Sequence, residues 1–98
     1  KDDRTDIDVV YEIMLKMGVP LTYPVLPLEI DGVKAYSVGE DSLLMICLDA
    51  GITTETIEQL AEYAPAKIVI AESCFADVSA MRNAHYVLRD RKIDLKLI

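Results

Sequence analysis

The chain has 98 residues, 52% hydrophobic and 28% charged, with a formal net charge of −7. That length suits one domain burying about two-thirds of its unfolded surface, and the composition excludes a disordered or low-complexity chain. The 10 Lys and Arg residues form no stripe, since Asp90 and Asp94 are interleaved with the densest group, Arg89, Arg91 and Lys92, which argues against a phosphate-binding face.

In chain order, Thr5 followed by Asp8 resembles a capping box, with acidic residues in the first turn where the helix dipole favours them. Ile7, Val10, Ile13, Met14 and Met17 then mark one apolar helix face, and Gly18 supplies the stop. Pro20, Pro24 and Pro27 forbid helix and predict an extended connector from Val19 to Pro24. Val25 to Ile30 and Val33 to Val38 flank Asp31-Gly32, a pair suited to the positive φ angles of a type I′ hairpin turn. After a polar turn from Gly39 to Ser42, Leu43 to Leu48 is an uninterrupted apolar run. It predicts a central strand covered on both faces.

Thr53 or Thr54 can cap a second helix that turns Ile57, Leu60 and Ala61 inward and Glu55, Glu58 and Glu62 outward, and Pro65 ends it. Lys67 to Ala71 reads as a short buried strand. Asp77 or Ser79 can open a third helix reaching about Arg91, with either the Val78, Met81, His85, Leu88 stripe or the Ala84, Val87 stripe facing the core. Leu95 to Ile98 closes the order as a last strand. The expected class is α/β: a mixed sheet with an N-terminal helix, a β-hairpin and a β-α-β-α-β second half, helices packed on the sheet.

The longest apolar runs fall well short of the roughly twenty residues that span a bilayer. The start, Lys1-Asp2-Asp3-Arg4, is not a signal peptide. These features predict a soluble, cytoplasmic chain without a membrane partner. Because a charged start other than Met runs straight into a helix signal, residues 1–98 are expected to be a single domain cut from a larger protein. Cys47 and Cys74 adjoin apolar runs, as buried thiols do in a reducing compartment.

Three segments together resemble the C-terminal domain of the methylation subunit of type III restriction-modification systems. They are Asp2 to Asp8 running into an apolar helix and Gly18, then Glu29 to Tyr36 around the Asp-Gly turn, then Ile68 to Asp77 followed by Asn83. The last is the most specific: Ser73, Phe75, Asp77 and Asn83 match the family pattern in register. Glu72 stands where the family has Asp, Val78 where it has a second Asp, and Met81 where it has Lys.

The resemblance covers nearly the whole chain and implies a parent that transfers a methyl group from S-adenosylmethionine to adenine in DNA. It also implies contact with the rest of the methylation subunit, with a second such subunit or the restriction subunit as further partners, and with DNA through the parent only. Methyltransferases of that family hold the target amine with an Asp-Pro-Pro-Tyr type loop and the methyl donor with a Phe-x-Gly-x-Gly type loop. No two of the 4 prolines are adjacent, and the 4 glycines are widely spaced. The expectation is therefore a non-catalytic accessory domain with no cofactor of its own, in which Glu72, Ser73, Phe75, Asp77 and Asn83 form a structural or interface motif.

Two enzymatic alternatives can be read from the same stretch. Cys74 could be a nucleophile ahead of a helix with His85 as its base, but the eight positions from Asp77 to His85 place the imidazole roughly 12 Å along the helix axis. Glu72 and Asp77 could be an acid/base pair at the carboxyl end of a strand. The structural alternative has Ser73 and Asp77 capping the third helix and Asn83 bonding a neighbouring loop. One His and two well-separated cysteines do not give the spacing of a zinc site, and no metal is expected. Tyr11, Tyr23, Tyr36, Tyr63 and Tyr86 suit either interface anchoring or packing at the rim of the core.

Overall fold

The computed structural model describes residues 6–39 and 43–98. The expected cap at Thr5 and most of the turn between Gly39 and Ser42 lie outside these residues. Helix α1 (Asp6–Lys16) is followed by the hairpin β1 (Val25–Ile30) and β2 (Val33–Val38), then β3 (Leu44–Cys47), α2 (Thr54–Glu62), β4 (Lys67–Ile70), a 3₁₀ turn (Glu72–Cys74), α3 (Val78–Asp90) and β5 (Asp94–Leu97). The α/β class and the element order follow the sequence reading. No helix among the described residues is long and apolar enough to cross a membrane.

The sheet runs β1-β2-β3-β4-β5, in chain order. The first two junctions are antiparallel, and β3-β4 and β4-β5 are parallel. In the hairpin, Asp31 (φ 53°) and Gly32 (φ 77°) both take the left-handed conformation that a type I′ turn requires. Both crossovers step the same way along the sheet. Right-handed connections therefore bring α2 and α3 to one face and leave the other to α1.

Each face has its own core. Val10, Ile13 and Met14 of α1 pack with Tyr36, Val38, Leu44, Ile46 and Val69. On the other side Ala35, Met45, Cys47, Ile68 and Ile70 meet Ile57, Leu60 and Ala61 of α2 and Ala84 and Leu88 of α3. All four residues of β3 are buried, alternating between the two cores. Lack of alternation in hydropathy is thus the signature of a strand covered on both sides.

One expectation needs correction, and one pair of alternatives is resolved. The connector after α1 is not extended: the Tyr23 amide donates to the Pro20 carbonyl at 3.2 Å, closing a turn, because proline loses its donor but keeps its acceptor. On α3, the buried residues are Ala80, Ala84 and Leu88, with Val87 half-buried, while Val78 and His85 face solvent. Small side chains let the helix approach the sheet, so the face that packs is the Ala84, Val87 alternative joined by Leu88 of the other stripe.

Among the described residues, each of the three α-helices ends on a left-handed residue, namely Gly18, Ala64 and Lys92. After α1, the Val19 amide reaches the Met14 carbonyl, and after α3, Ile93 reaches Leu88, the long-range bonds of Schellman caps. After α2 the corresponding residue is Pro65, which has no amide to give, so the cap reduces to the bond from Ala64 to the Ala61 carbonyl.

Candidate functional site

The stretch from Glu72 to Asp77 lies at the carboxyl ends of the parallel strands, where open α/β sheets place their ligand sites. The chain leaving β4 is held there by backbone bonds. The Ile52 amide donates to the Cys74 carbonyl at 2.9 Å, Ala76 donates to the Ile52 carbonyl at 2.8 Å, and Glu72 donates to the Ile98 carbonyl at 3.1 Å. The loops after β3 and β4 are thereby joined by a short parallel bridge, Ile52 to Phe75.

The motif residues separate by role. Asp77 is the N-cap of α3, its Oδ1 accepting from the Ala80 amide at 2.7 Å. Ser73 is exposed in the 3₁₀ turn, well before α3 begins, and does not provide that cap; Ser79 lies inside the first turn. Asn83 donates through Nδ2 to the Thr54 hydroxyl at 3.2 Å, tying α3 to the first residue of α2 rather than to a loop. Phe75 is half-buried against the core beneath α2 and α3. Glu72 is exposed.

Between the starts of α2 and α3 lies an open depression of about 410 Å³ lined by Asp31, Thr53, Thr54, Glu55, Asp77 and Asn83, among others, but not by Glu72. Glu72 and Asp77 therefore do not share it. Much of its polar lining is used by the fold. Thr53 and Thr56 form a reciprocal capping box at the start of α2. The Thr56 hydroxyl also reaches the Asp31 carboxylate at 3.4 Å, linking the helix to the hairpin turn. Sequence reading found Thr53 but missed Thr56, because the box is usually read with Glu or Gln in that position.

Cys74 is only 6% exposed within the apolar core, and its Sγ donates to the Leu48 carbonyl at 3.2 Å. Cys47 is buried too, and no disulfide joins them. Burial, followed by the nearby Cys74 and Asp49, pushes the Cys47 thiol up to about 12, the opposite of what activates a nucleophile. His85 lines a different depression with Leu88, Arg89 and Asp94. Asp94 opens β5, whereas Cys74 follows the end of the parallel β4, so the thiol and the imidazole belong to opposite ends of the strands. No group of three or more metal-ligating side chains occurs among the described residues.

A wider depression, about 780 Å³, was not legible in the sequence. It lies at the amino ends of the parallel strands, where Tyr23, Leu43, Pro65 and Ile93 form apolar walls beside Arg91 and Lys92. These residues come from four different connections, and only the assembled sheet brings them together. No family model matches the chain, and no curated protein matches it.

Proposed function

We propose that the chain is a non-catalytic accessory domain of a type III restriction-modification methylation subunit, serving assembly while the rest of the parent transfers a methyl group from S-adenosylmethionine to adenine in DNA. The proposal starts from the ordered resemblance of the three sequence segments described above. The observation that carries the non-catalytic part is the structural employment of the motif. Asp77 caps α3, Asn83 ties α3 to α2, Phe75 packs against the core, and the adjacent Cys74 is enclosed within it. Side chains committed in this way hold two connections in register, which is what a domain displaying a fixed surface needs.

The test is calorimetry of the purified chain with S-adenosylmethionine, together with gel filtration of the chain mixed with the remainder of a methylation subunit or with a restriction subunit. No donor binding and co-elution with one of the proteins is the expected result. Specific donor affinity would overturn the non-catalytic reading, and co-elution with neither protein would overturn the assembly role. Light scattering across a concentration series then distinguishes pairing of two methylation subunits, which predicts a dimer, from docking of a different subunit, which predicts a monomer.

A further inference from the structure

The two edges of the sheet are not alike. In β1, Pro27 pairs opposite Tyr36. Having no amide hydrogen, it deletes a donor from the outward side of that strand, a common protection against edge pairing. In β5, the Asp94 amide donates to the Ala66 carbonyl at 3.2 Å and the Ile98 amide to the Ile70 carbonyl at 3.0 Å. By the alternation of a parallel ladder, Asp94, Lys96 and Ile98 face β4, and the N–H and C=O groups of Leu95 and Leu97 point away from the sheet. No proline or bulge interrupts this edge among the described residues.

One flank of α3 overhangs the same edge. Asn83 marks the flank turned toward α2 through its bond to Thr54, and helical spacing puts Val78, Met81, His85 and Arg89 on the opposite flank. His85, Arg89 and Lys92 line a groove of about 430 Å³ against Asp94 and Leu95. Lys96 is exposed on the other face of the edge. On a chain of net charge −7, this groove thus sets two cations, Arg89 and Lys92, against one acidic residue, Asp94. Arg89 and Lys92 line the groove at the end of α3, and helical spacing places Val78 and Met81 on the same flank beyond it, at the start of the helix.

We infer that the β5 edge is a docking site for an extended segment of another protein, which adds as a sixth, antiparallel strand and presents apolar residues followed by acidic ones at alternate positions. The added backbone would take up the outward groups of Leu95 and Leu97, its apolar side chains would lie under Val78 and Met81, and its carboxylates would meet Arg89 and Lys92. This surface is argued from the chain's own geometry and does not depend on the family assigned to the parent.

The experiment is an NMR titration of the isotope-labelled chain with a capped peptide of about seven residues, Val-Thr-Val-Thr-Glu-Thr-Glu, and with a version carrying Lys in place of Glu. The expected result is a shift and slowed hydrogen exchange of the Leu95 and Leu97 amides with the Glu peptide, weakening as salt rises. The double substitution Arg89→Gln and Lys92→Gln, at exposed positions, should weaken binding by about tenfold. Leu97→Pro, which removes an outward donor without removing a bond to β4, should block it. Absence of shifts at Leu95 and Leu97, equal binding of the Lys peptide, or indifference to loss of both cations would overturn the proposal. Protection of these amides in a peptide-free dimer would overturn it in favour of self-pairing.

Discussion

Alkaline titration gives a direct test of how Cys47 is held. The side chain is 1% exposed on the central strand, and its Sγ is 3.7 Å from the Lys34 carbonyl. Burial above all, with Cys74 and Asp49 adding negative charge nearby, moves its titration from the usual 9.0 to about 12. In the unfolded chain the thiol ionises near its ordinary value, so above that pH the unfolded state holds fewer protons than the folded one and stability falls with rising pH. Below about pH 8 both states keep the proton and the effect vanishes. Across the window from 9.0 to about 12, the slope approaches about 1.4 kcal/mol per pH unit, which integrates to at most about 4 kcal/mol.

Urea denaturation at a series of pH values from neutral to strongly alkaline, for the natural chain and for Cys47→Ala, isolates this contribution. Tyrosine and lysine titrations affect both proteins and cancel in the difference. Cys47→Ala should be less stable at neutral pH by roughly 1–2 kcal/mol, from lost packing. The gap should close and then reverse as the pH rises. Parallel stability curves would show that the thiol is not protected from water and would refute the reasoning.

Asp77→Ala should destabilise the chain by about 1 kcal/mol through loss of the α3 cap, whereas Asp77→Asn should recover most of that in thermal melts. Ala64→Gly and Lys92→Gly relieve left-handed strain and should each raise stability by up to about 1 kcal/mol, less the entropy glycine loses on folding. Ile46→Ala, buried on the α1 side of the central strand, should cost about 2–5 kcal/mol by denaturant titration. If Ile46→Ala were nearly neutral, the α1 layer would not be packed as described.

The parts of the fold legible in the sequence were those governed by local rules. Asp31-Gly32 announced its turn because few pairs accept two successive positive φ angles. Leu44 to Cys47 announced two-sided burial by refusing to alternate. The face of α3 was ambiguous because Val78, Met81 and His85 outweigh Ala80 and Ala84 in bulk, while the sheet selects for close approach around Ala80, Ala84 and Leu88. The left-handed ends at Ala64 and Lys92 left no signature, since neither residue is glycine. Of the candidate site, the capping role of Asp77 was visible as one of two options, but the partner of Asn83 depends on packing between helices. The cations of the β5 edge alternate with acids along the chain and separate from them only once α3 and β5 lie side by side.

The sequential strand order, β1 to β5, also bears on how the chain acquires its structure. No strand has to be threaded between two that are already paired. During synthesis each new strand finds its neighbour already in place, and the hairpin can form before the second half has emerged. Each parallel crossover closes over a single short helix, which keeps the entropy of joining low. A chain built this way can grow its sheet by accretion from one side, and β5 is the latest of the described strands to be laid down.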